Sequence, residues 1–576
     1  MAVSTRFAFV AFACFLSSSI GCSVFFPTSN YEPPEVFELH AVRADSVGYL
    51  IGRAKTVTIV LPPGMTPLTD TTADVREAAN DNVVWSCVVT GPITDPDTNT
   101  TVYIGDFTAF DDVGDFYISL PNLIVDGKTA RSATFHVGPD VFRDALTRSM
   151  LGMYGQRCGQ AVTITLDDDH WSHKTCHKND AYLNYLTGEA TQKRSVGGWH
   201  DAGDFGKYVT NGAFSAGTML AAWEHFEPLL STLSIPAIPE HGGALPDFLA
   251  EVKWELDWLL TTQGADGGVS HKVTALDFEP FEMPEIDGSM RYFTPVGTAA
   301  TGDLVAVLAQ AARIYAPHDQ QTADKYLAAA RLGYTFLSAN TGPAVPDISS
   351  IFSTGGYGQK SDTSNRLWAA AELWETTGEP AFLADFEGNV GTPTVDENFD
   401  WGSVRNLGLF TYLMSKRDGR DPTLLAGLTT AATTVGDGLV ANARASAFGR
   451  GLAGYWWGSN GAVARTAMNL WVAYQLNPDG KYLDAIAMQL DHLLGRNIYD
   501  RTQVTGVGYN PPIAPHHRPS MSDHYAPPWP GLLVGGSNPG ATDWMDDSNA
   551  YQVNEIAINW VAAFIYATAA LTPAAP

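Results

Sequence analysis

The stretch RSATFHVGPD (131–140) divides the chain into two parts with different sequence patterns. It starts as a run in which apolar and aromatic residues alternate with polar ones, and it ends in Gly-Pro-Asp. Alternation with a period of two predicts a strand, and Gly-Pro-Asp ends regular structure. The fold class therefore depends on what lies on each side of this break.

The residues before the break predict a β-sandwich. Between 35 and 138, short runs rich in Val, Ile, Thr, Tyr and Phe alternate with turns, as in KTVTIVL (55–61), NVVWSCVVT (82–90) and TTVYIGDF (100–107). This spacing is typical of an antiparallel, immunoglobulin-like sandwich. No cluster of catalytic residue types occurs in this part of the sequence.

The residues after the break, 139–576, predict an all-α domain. Apolar residues recur at intervals of three and four in about a dozen segments, which predicts as many helices. Examples are 246–262, 298–316, 364–378, 462–476 and 551–570. Gly-, Pro- and Asp-rich loops separate these segments, and loops hold most functional residues. A dozen helices in one domain predict a ring of helical hairpins with a cleft at one end.

The composition of the chain limits the kinds of molecule that it is expected to bind. The chain has 576 residues, of which 45% are hydrophobic and 17% charged, so it can bury more than one core of typical size. Its formal net charge of -28 excludes nucleic acid and anionic membrane surfaces as partners, because both are polyanions. Its 15 Trp residues suit a carbohydrate-binding surface and a large core equally well.

Residues 1–22 have the pattern of an export signal. Arg6 precedes the apolar run FAFVAFACFL (7–16), which is too short to span a bilayer comfortably. Within SSSIGCS (17–23), either Cys22 carries a lipid, as in bacterial lipoproteins, or an ordinary signal peptidase cuts nearby. Residues 23–34 have the composition of an extended tether. We expect an exported protein: a lipoprotein of the bacterial outer membrane or cell surface, or a secreted or periplasmic protein.

Three loop segments stand out in the helical part: GGWHDAGDFGKYV (197–209), TQVTGVGYNPPIAPHHRPS (502–520) and DWMDDSNAYQVNEIAINWVAA (543–563). The first places Asp201 and Asp204 three residues apart, between glycines and aromatic residues. Taken alone, such a pair is more typical of a solvated turn than of a catalytic site.

Together these segments resemble glycoside hydrolase family 9, the cellulase family with an (α/α)6 barrel. The second segment matches the family's histidine signature at Thr502, Val504, Thr505, Gly508, Asn510, Pro515, His516 and Arg518. The third matches its acid signature at Trp544, Asp546, Tyr551, Glu555 and Ala557, and departs from it at Val561, where the family usually has Asn. The sandwich resembles the immunoglobulin-like module of one subgroup. The resemblance thus implies an N-terminal immunoglobulin-like β-sandwich followed by an all-α (α/α)6 barrel.

The resemblance also implies the catalytic groups. Hydrolysis with inversion needs two carboxyl groups about 6.5–9.5 Å apart, one to protonate the leaving oxygen and one to activate water. By the family pattern Asp204 is the general base, Asp201 helps to hold the water, and Glu555 is the general acid. Asp546 orients Glu555 or the substrate.

Four further residues are expected at the sugar subsites. His516 and Arg518 are expected to hydrogen-bond sugar hydroxyls, although Arg518 could instead hold its loop through a carboxylate. Tyr551 and Trp457 are candidate substrate-binding aromatic residues. For Trp457 and its neighbour Trp456, packing in the wall of the domain is an equal alternative to stacking on sugar rings.

The cysteines suggest a metal. Cys158, Cys176, His177 and His200 have the composition of a tetrahedral Cys2His2 zinc site, and they match the site of the subgroup with the immunoglobulin-like module. Such a closed site is structural, and it would anchor the Asp201–Asp204 loop through His200. The alternative is a disulfide between Cys158 and Cys176. The resemblance also implies calcium, for which the sequence assigns no ligands.

These expectations converge on an inverting endo-β-1,4-glucanase (a cellulase) that acts as a monomer on β-1,4-linked polysaccharide or oligosaccharide. The alternative is an exo-acting β-glucosidase or glucosaminidase on cello- or chitosan-oligosaccharides. An inactive carbohydrate-binding surface protein is a remote alternative, because Asp201, Asp204 and Glu555 are all present.

Overall fold

The computed structural model describes residues 37–69, 71–185, 191–525 and 527–574. The predicted export signal, the tether and the lipid candidate Cys22 lie outside the described residues. Residues 37–576 belong to one compact unit, which contains both the strand-rich and the helical part.

The strand-rich part is a sandwich whose strands join in one hydrogen-bonded series. Nine strands of the described residues belong to it: β1 (Val42–Arg43), β2 (Gly48–Leu50), β3 (Thr56–Val60), β4 (Thr72–Glu77), β5 (Val83–Thr94), β6 (Thr101–Asp106), β7 (Gly114–Val125), β8 (Lys128–Arg131) and β9 (Phe135–Gly138). Their order is β1-β3-β6-β5-β4-β7-β9-β2, with β8 on β7. Strands β2 and β9 pair in parallel, and the other pairs are antiparallel. Inward side chains of β3, β4, β7 and β9 meet in one core, in which Ile59, Val75, Ile118 and Val137 are fully buried.

The helical part begins at Arg143, five residues after the last sandwich strand ends at Gly138. Its helices are α1 (Arg143–Gly155), α2 (Val209–Leu230), α3 (Asp247–Thr262), α4 (Thr298–Tyr315), α5 (Gln320–Ala339), α6 (Thr363–Thr377), α7 (Pro380–Asn389), α8 (Arg405–Met414), α9 (Pro422–Ala445), α10 (Ser459–Leu476), α11 (Gly480–Leu493), α12 (Arg518–Ser522), α13 (Tyr551–Asn554) and α14 (Ile558–Leu571). Short strands lie in its loops: β10 (Val162–Leu166), β11 (Asp169–His173), β12 (Lys207–Tyr208), β13 (Lys272–Thr274) and β14 (Tyr292–Phe293).

The long helices form two concentric rings. In the inner ring α2, α4, α6 and α8 contact one another in turn, and α14 contacts both α2 and α10. Asn406 of α8 donates a hydrogen bond to Asn469 of α10 at 3.2 Å, and this contact joins α8 to α10, the last pair of neighbours in the ring. The outer helices α1, α3, α5, α7, α9 and α11 each pack on an inner one. This is the predicted (α/α)6 barrel.

Burial distinguishes the two rings. Nearly every residue of α4 is buried, whereas α5 buries one stripe that includes Ala323, Tyr326, Ala330 and Leu337, as an amphipathic outer helix should. Helix α9 is long and apolar enough to cross a membrane by length and composition. It nevertheless packs a stripe of buried residues against α10 and α11, so it is an outer helix of the barrel.

The prediction of one helix over 551–570 is wrong at its start. The helical turn α13 ends at Asn554, and α14 begins at Ile558. Between them the backbone is extended, because Glu555 pairs with His516, Ile556 with Val534, and Ala557 with Ala202. These tertiary pairings override the local helical pattern, and they place Glu555 between the other two loop segments.

Candidate active site

A cleft of about 840 Å³ opens where the inner helices begin. Tyr208, Trp457 and Ala557 line it, and each lies one or two residues before an inner helix, α2, α10 and α14 respectively. Its lining also includes Asp201, Asp204, Phe278, Tyr357, Asp400, Trp401, Trp456, Arg465, His516, Arg518, Tyr551, Glu555, Asn559 and Trp560. Carboxyl groups and aromatic rings thus share one groove, as sites for sugars require.

The Asp201–Asp204 loop is held rigidly. Asp201 accepts a hydrogen bond from Asn211 Nδ2 at 2.7 Å and another from the Tyr357 hydroxyl. Asp204 Oδ2 accepts from the Gly206 N–H at 2.9 Å and from the Tyr208 hydroxyl at 3.2 Å. Both hydrogen bonds that Asp204 accepts from the described residues go to Oδ2, so Oδ1 remains for a ligand or water.

The three carboxyl groups influence one another's protonation. Burial and the charge of Asp204 raise the pKa of Asp201 to about 8, against the opposing effect of its two hydrogen bonds. Burial raises the pKa of Glu555 well above its ordinary value, and the charges of Asp204 and Asp201 raise it further. The protonated form of the Glu555 carboxyl group is therefore favoured.

The histidine segment is joined to both acidic segments through the backbone. The His516 N–H donates to the Asn554 carbonyl at 2.8 Å, next to Glu555, and the Arg518 N–H donates to the Gly203 carbonyl at 3.1 Å. The Ile558 N–H donates to the Asp201 carbonyl at 2.9 Å. All three predicted segments therefore meet in one site.

Burial lowers the pKa of His516, so this imidazole is neutral at neutral pH. Its Nδ1 contacts the Ser548 carbonyl at 2.6 Å, and its ring packs against Phe281 and Tyr551 at centroid distances of 5.2 and 5.9 Å. These contacts fix the ring at the wall of the cleft, with Nε2 as its remaining polar atom.

Arg518 both lines the cleft and holds loops together. It donates to the Gly203 carbonyl at 2.8 Å and to the Glu279 carbonyl at 3.0 and 2.7 Å. Its Nε lies 3.6 Å from a carboxylate oxygen of Glu279. Most contacts of Arg518 are therefore those of an arginine that holds loops together, which was the alternative to sugar binding. Its hydrogen bonds, however, go to backbone carbonyls rather than to a carboxylate.

Asp546 was predicted among the catalytic groups, but it is not part of the cleft lining. Its carboxylate accepts hydrogen bonds from Arg501 Nη2 and the Ile513 N–H, both at 2.8 Å, and from the Ala514 N–H at 2.9 Å. Asn554 Nδ2 donates to it at 3.2 Å. Asp546 therefore holds the loop that precedes His516 and the residue before Glu555.

Trp457 and Tyr551, the two predicted substrate-binding aromatic residues, stand side by side. Trp457 and Tyr551 are 45% and 44% exposed, and their ring centroids lie 5.3 Å apart. Large aromatic side chains left this open at a cleft are typical of a ligand surface rather than of wall packing. Trp456 also lines the cleft and is half-buried.

Several site residues escaped the sequence analysis. Tyr208 stood inside the quoted segment 197–209 without an assigned role. Tyr357, Trp401 and Glu279 lie in loops between other elements and belong to none of the three segments. No local sequence pattern identifies these residues, because they come close to the other site residues only when the ring of helices has formed.

The predicted metal ligands meet in a second, buried cluster. Ligand atoms of Cys158, Cys176, His177 and His200 all lie within 4.8 Å of one another. Cys158 Sγ is 3.4 Å from His177 Nδ1, Cys176 Sγ is 3.9 Å from His200 Nε2, and the two ring nitrogens are 3.3 Å apart. Both cysteines are free thiols, which contradicts the disulfide alternative.

These spacings suit a tetrahedral ion. Bond lengths of about 2.3 Å to sulfur and about 2.0–2.1 Å to nitrogen give tetrahedron edges of roughly 3.4–3.8 Å. The other ring nitrogen of His177 lies 3.1 Å from Asp287 Oδ2, the outer contact that metal-bound histidines usually make. The donor set therefore fits a closed metal site next to the Asp201–Asp204 loop.

Comparison with known proteins decides the family. The model of the family "Glycosyl hydrolase family 9" matches residues 142–568, about three quarters of the chain. The chain belongs to glycosyl hydrolase family 9. The model "Cellulase N-terminal ig-like domain" matches residues 38–123, within the sandwich of this family 9 chain.

Relatives extend this likeness over both parts of the family 9 chain. "Endoglucanase D" of Acetivibrio thermocellus is 43% identical over 92% of this chain and 83% of its own length. A metagenome-derived glycoside hydrolase family 9 endoglucanase superimposes with a TM-score of 0.83 at 33% identity, covering 92% of this chain and 98% of its own. A zinc-binding triple mutant of the family 9 endoglucanase J30 gives a TM-score of 0.84 at 28% identity, over 91% and 100%.

Proposed function

We propose that this family 9 chain is an inverting endo-β-1,4-glucanase that cuts cellulose-like glucans inside the chain. The observation that carries the proposal is that a carboxyl group with a raised pKa, Glu555, lines the same aromatic groove as the Asp201–Asp204 pair. The endoglucanases among its relatives support the same activity.

Glu555 is the general acid. A general acid must hold its proton until the leaving oxygen takes it, and a raised pKa favours this protonated form. The Gly203 N–H hydrogen-bonds the Glu555 side chain and opposes this rise, which keeps the carboxyl oriented towards the Asp201–Asp204 loop. Proton transfer from Glu555 to the glycosidic oxygen breaks the bond to the sugar on one side of the ring.

Asp204 is the general base. Asp201, with its pKa near 8, holds a proton at neutral pH and cannot accept another. The attacking water then gives its proton to Asp204, through the oxygen that Gly206 and Tyr208 leave without a hydrogen bond. Attack from the face opposite to Glu555 inverts the anomeric centre.

The remaining cleft residues bind the glucan. His516 Nε2 and the Arg518 guanidinium offer polar contacts to sugar hydroxyls, and Trp457 and Tyr551 offer apolar faces for pyranose rings. Both exposed rings stand beside the catalytic groups rather than closing the cleft, which favours binding along a chain over binding of a chain end.

The metal is zinc, with a structural role. Two thiolates and two imidazoles are the donor set that structural zinc sites use, and a closed four-ligand site leaves no position for substrate. When bound, the ion cross-links three loops, and His200 carries that constraint directly to Asp201.

The chain itself is exported, either anchored through Cys22 or released; this part of the proposal rests on residues 1–34 of the sequence.

Viscosity tests the endo-acting proposal. Purified enzyme is incubated with a soluble cellulose derivative, while viscosity and reducing ends are followed together. A steep fall in viscosity for few new ends is expected. Little change in viscosity, with glucose or cellobiose released from cello-oligosaccharides, would instead favour the exo-acting alternative.

A further inference from the structure

The barrel contains a second cavity of about 350 Å³, which the catalytic site does not use. Its lining comes from five of the six inner helices: α2, α4, α6, α8 and α10. The catalytic residues precede the first turns of the inner helices α2 and α14, whereas most cavity residues, such as Gln310, Trp471 and Gln475, lie in the C-terminal halves of their helices. The cavity therefore opens towards the opposite end of the barrel.

Charged side chains line the cavity, and each carboxylate among them has a cationic neighbour. Arg313 contacts Glu224 at 2.6 and 3.0 Å and Glu372 at 2.5 Å. Glu375 accepts a hydrogen bond from Ser415 at 2.5 Å and lies 3.7 Å from Arg417. Two cations, Arg313 and Lys416, and three carboxylates belong to the lining, and Arg417 lies just outside it beside the third carboxylate. Because every carboxylate has a cationic neighbour, the lining is suited to a neutral ligand rather than an ion.

The interior has one hydrogen-bonding atom without a partner. Gln310 is 3% exposed, and its Nε2 donates to Glu224 Oε2 at 2.9 Å. Its Oε1 is buried and accepts no hydrogen bond from the described residues. Buried acceptors in proteins are almost always satisfied, so this oxygen is suited to a donor that enters the cavity.

The rest of the lining is apolar and aromatic. Phe410, Met468 and Leu407 form a buried floor, and Trp471 stands half-buried in the wall. An apolar floor, an indole ring and a rim of carboxylate and amide acceptors complement a ring that is apolar on its faces and carries hydroxyl donors at its edge. The volume lies at the lower end of the range for small-molecule sites.

We propose that this cavity is a second, non-catalytic site for a neutral sugar of one or two pyranose rings, such as a short β-1,4-glucan product. A hydroxyl of the sugar donates to Gln310 Oε1, others donate to Glu224 and Glu375, and Trp471 contacts the ring face. The choice of a β-1,4-linked sugar rests on the proposed function; the match to a neutral pyranose does not.

Calorimetry on the full chain tests the site. Cellobiose is titrated into a Glu555→Gln chain, which cannot turn the sugar over, and two binding sites are expected. Adding Gln310→Met, which keeps the shape of the side chain but removes the acceptor, should weaken one site at least tenfold and leave the other unchanged. Adding Gln320→Met, at an exposed position of α5, is the matched control and should change neither site.

The proposal is overturned if the Glu555→Gln chain binds cellobiose at one site only, or if Gln310→Met leaves both sites unchanged. Crystals of the Glu555→Gln chain soaked in cellobiose give an independent answer should Gln310→Met fold poorly. Sugar against Trp471 is expected, whereas an occupied cleft with only water near Gln310 would overturn the site. With the native acid restored, Gln310→Met should leave kcat and KM on a soluble cellulose derivative unchanged. Failure of the viscosity assay would refute the proposed function and leave this binding result standing.

Discussion

The replacement Glu555→Gln separates the role of the proton from every other role of this side chain. Glutamine has the same shape and keeps an oxygen that can accept the hydrogen bond from the Gly203 N–H. The backbone pairing of residue 555 with His516 involves no side chain, so the loop should keep its position. The variant therefore loses little except the transferable proton.

The size of the loss follows from that single function. General acid catalysis contributes about 10²–10⁴-fold, which corresponds to roughly 3–5.5 kcal/mol of transition-state stabilisation. We expect kcat on soluble cellulose to fall by this factor while KM stays within about threefold, because the cleft aromatic residues and Arg518 are unchanged.

The decisive assay compares two leaving groups. A dinitrophenyl cellobioside releases a phenolate that needs no proton, so Glu555→Gln should retain most of the native rate on it. Asp204→Asn is the matched control, since a missing base slows attack of water on both substrates. Equal losses for Glu555→Gln on glucan and on the activated substrate would refute the assignment of Glu555 as the acid.

Three further predictions concern pH, the hydrogen-bond network and the metal. Because Glu555 must be protonated, activity should be lost as pH rises through its raised pKa; above about pH 8 Asp201 is ionised and its charge raises this pKa, so Asp201→Asn should move the basic limb of the kcat/KM profile to lower pH, and an unmoved limb would contradict the coupling. Tyr357→Phe removes the hydroxyl that bonds Asp201, and a hydrogen bond between neutral groups contributes about 0.5–1.5 kcal/mol, so kcat should fall by about two- to tenfold as Asp201 loses this anchor; an unaltered kcat would show that this contact is dispensable. Elemental analysis should find about one zinc per chain, and Cys176→Ser should lower both the zinc content and the melting temperature; native protein without zinc, with Cys158 bonded to Cys176 by mass spectrometry, would refute the metal site.

Local pattern predicted the outline of the fold well. The Gly-Pro-Asp that ends the 131–140 stretch begins at the last residue of β9 and precedes α1, and the predicted helix 298–316 is observed as Thr298–Tyr315. Apolar periodicity predicts these helices well because the surroundings of each helix do not change along its length. The pattern failed at 551–570, where backbone pairing with distant loop residues interrupts the helix at Glu555.

Helix α2 illustrates what local propensity cannot predict. It contains Gly212, Gly217 and Pro228, which all disfavour helix in isolation. At Gly212 an added Cβ would lie 2.1 Å from Glu255 Oε1, and at Gly217 it would lie 2.6 Å from the Trp368 ring. These glycines allow close packing at the centre of the ring, a reason that appears only once the neighbouring helices are in place.

The candidate site likewise contains residues that the sequence predicted and residues that it did not. Spaced motifs led to Asp201, Asp204, Glu555 and the four metal ligands, because each chemistry needs particular residue types. The partners that tune the acids, such as Tyr357 and Asn211, hydrogen-bond to them across the fold and belong to no motif. Asp546 is the opposite case: it belongs to a motif, but its contacts hold a loop in position.

The stereochemistry of the first product tests the central claim most directly. Proton NMR of a cello-oligosaccharide digest, recorded within minutes of adding enzyme, shows which anomer forms before mutarotation. An acid at Glu555 and a base at Asp204 on opposite faces of the sugar predict the α-anomer first. Initial formation of the β-anomer would mean retention through a covalent intermediate, and would contradict the assignment of Asp204 as a base that activates water.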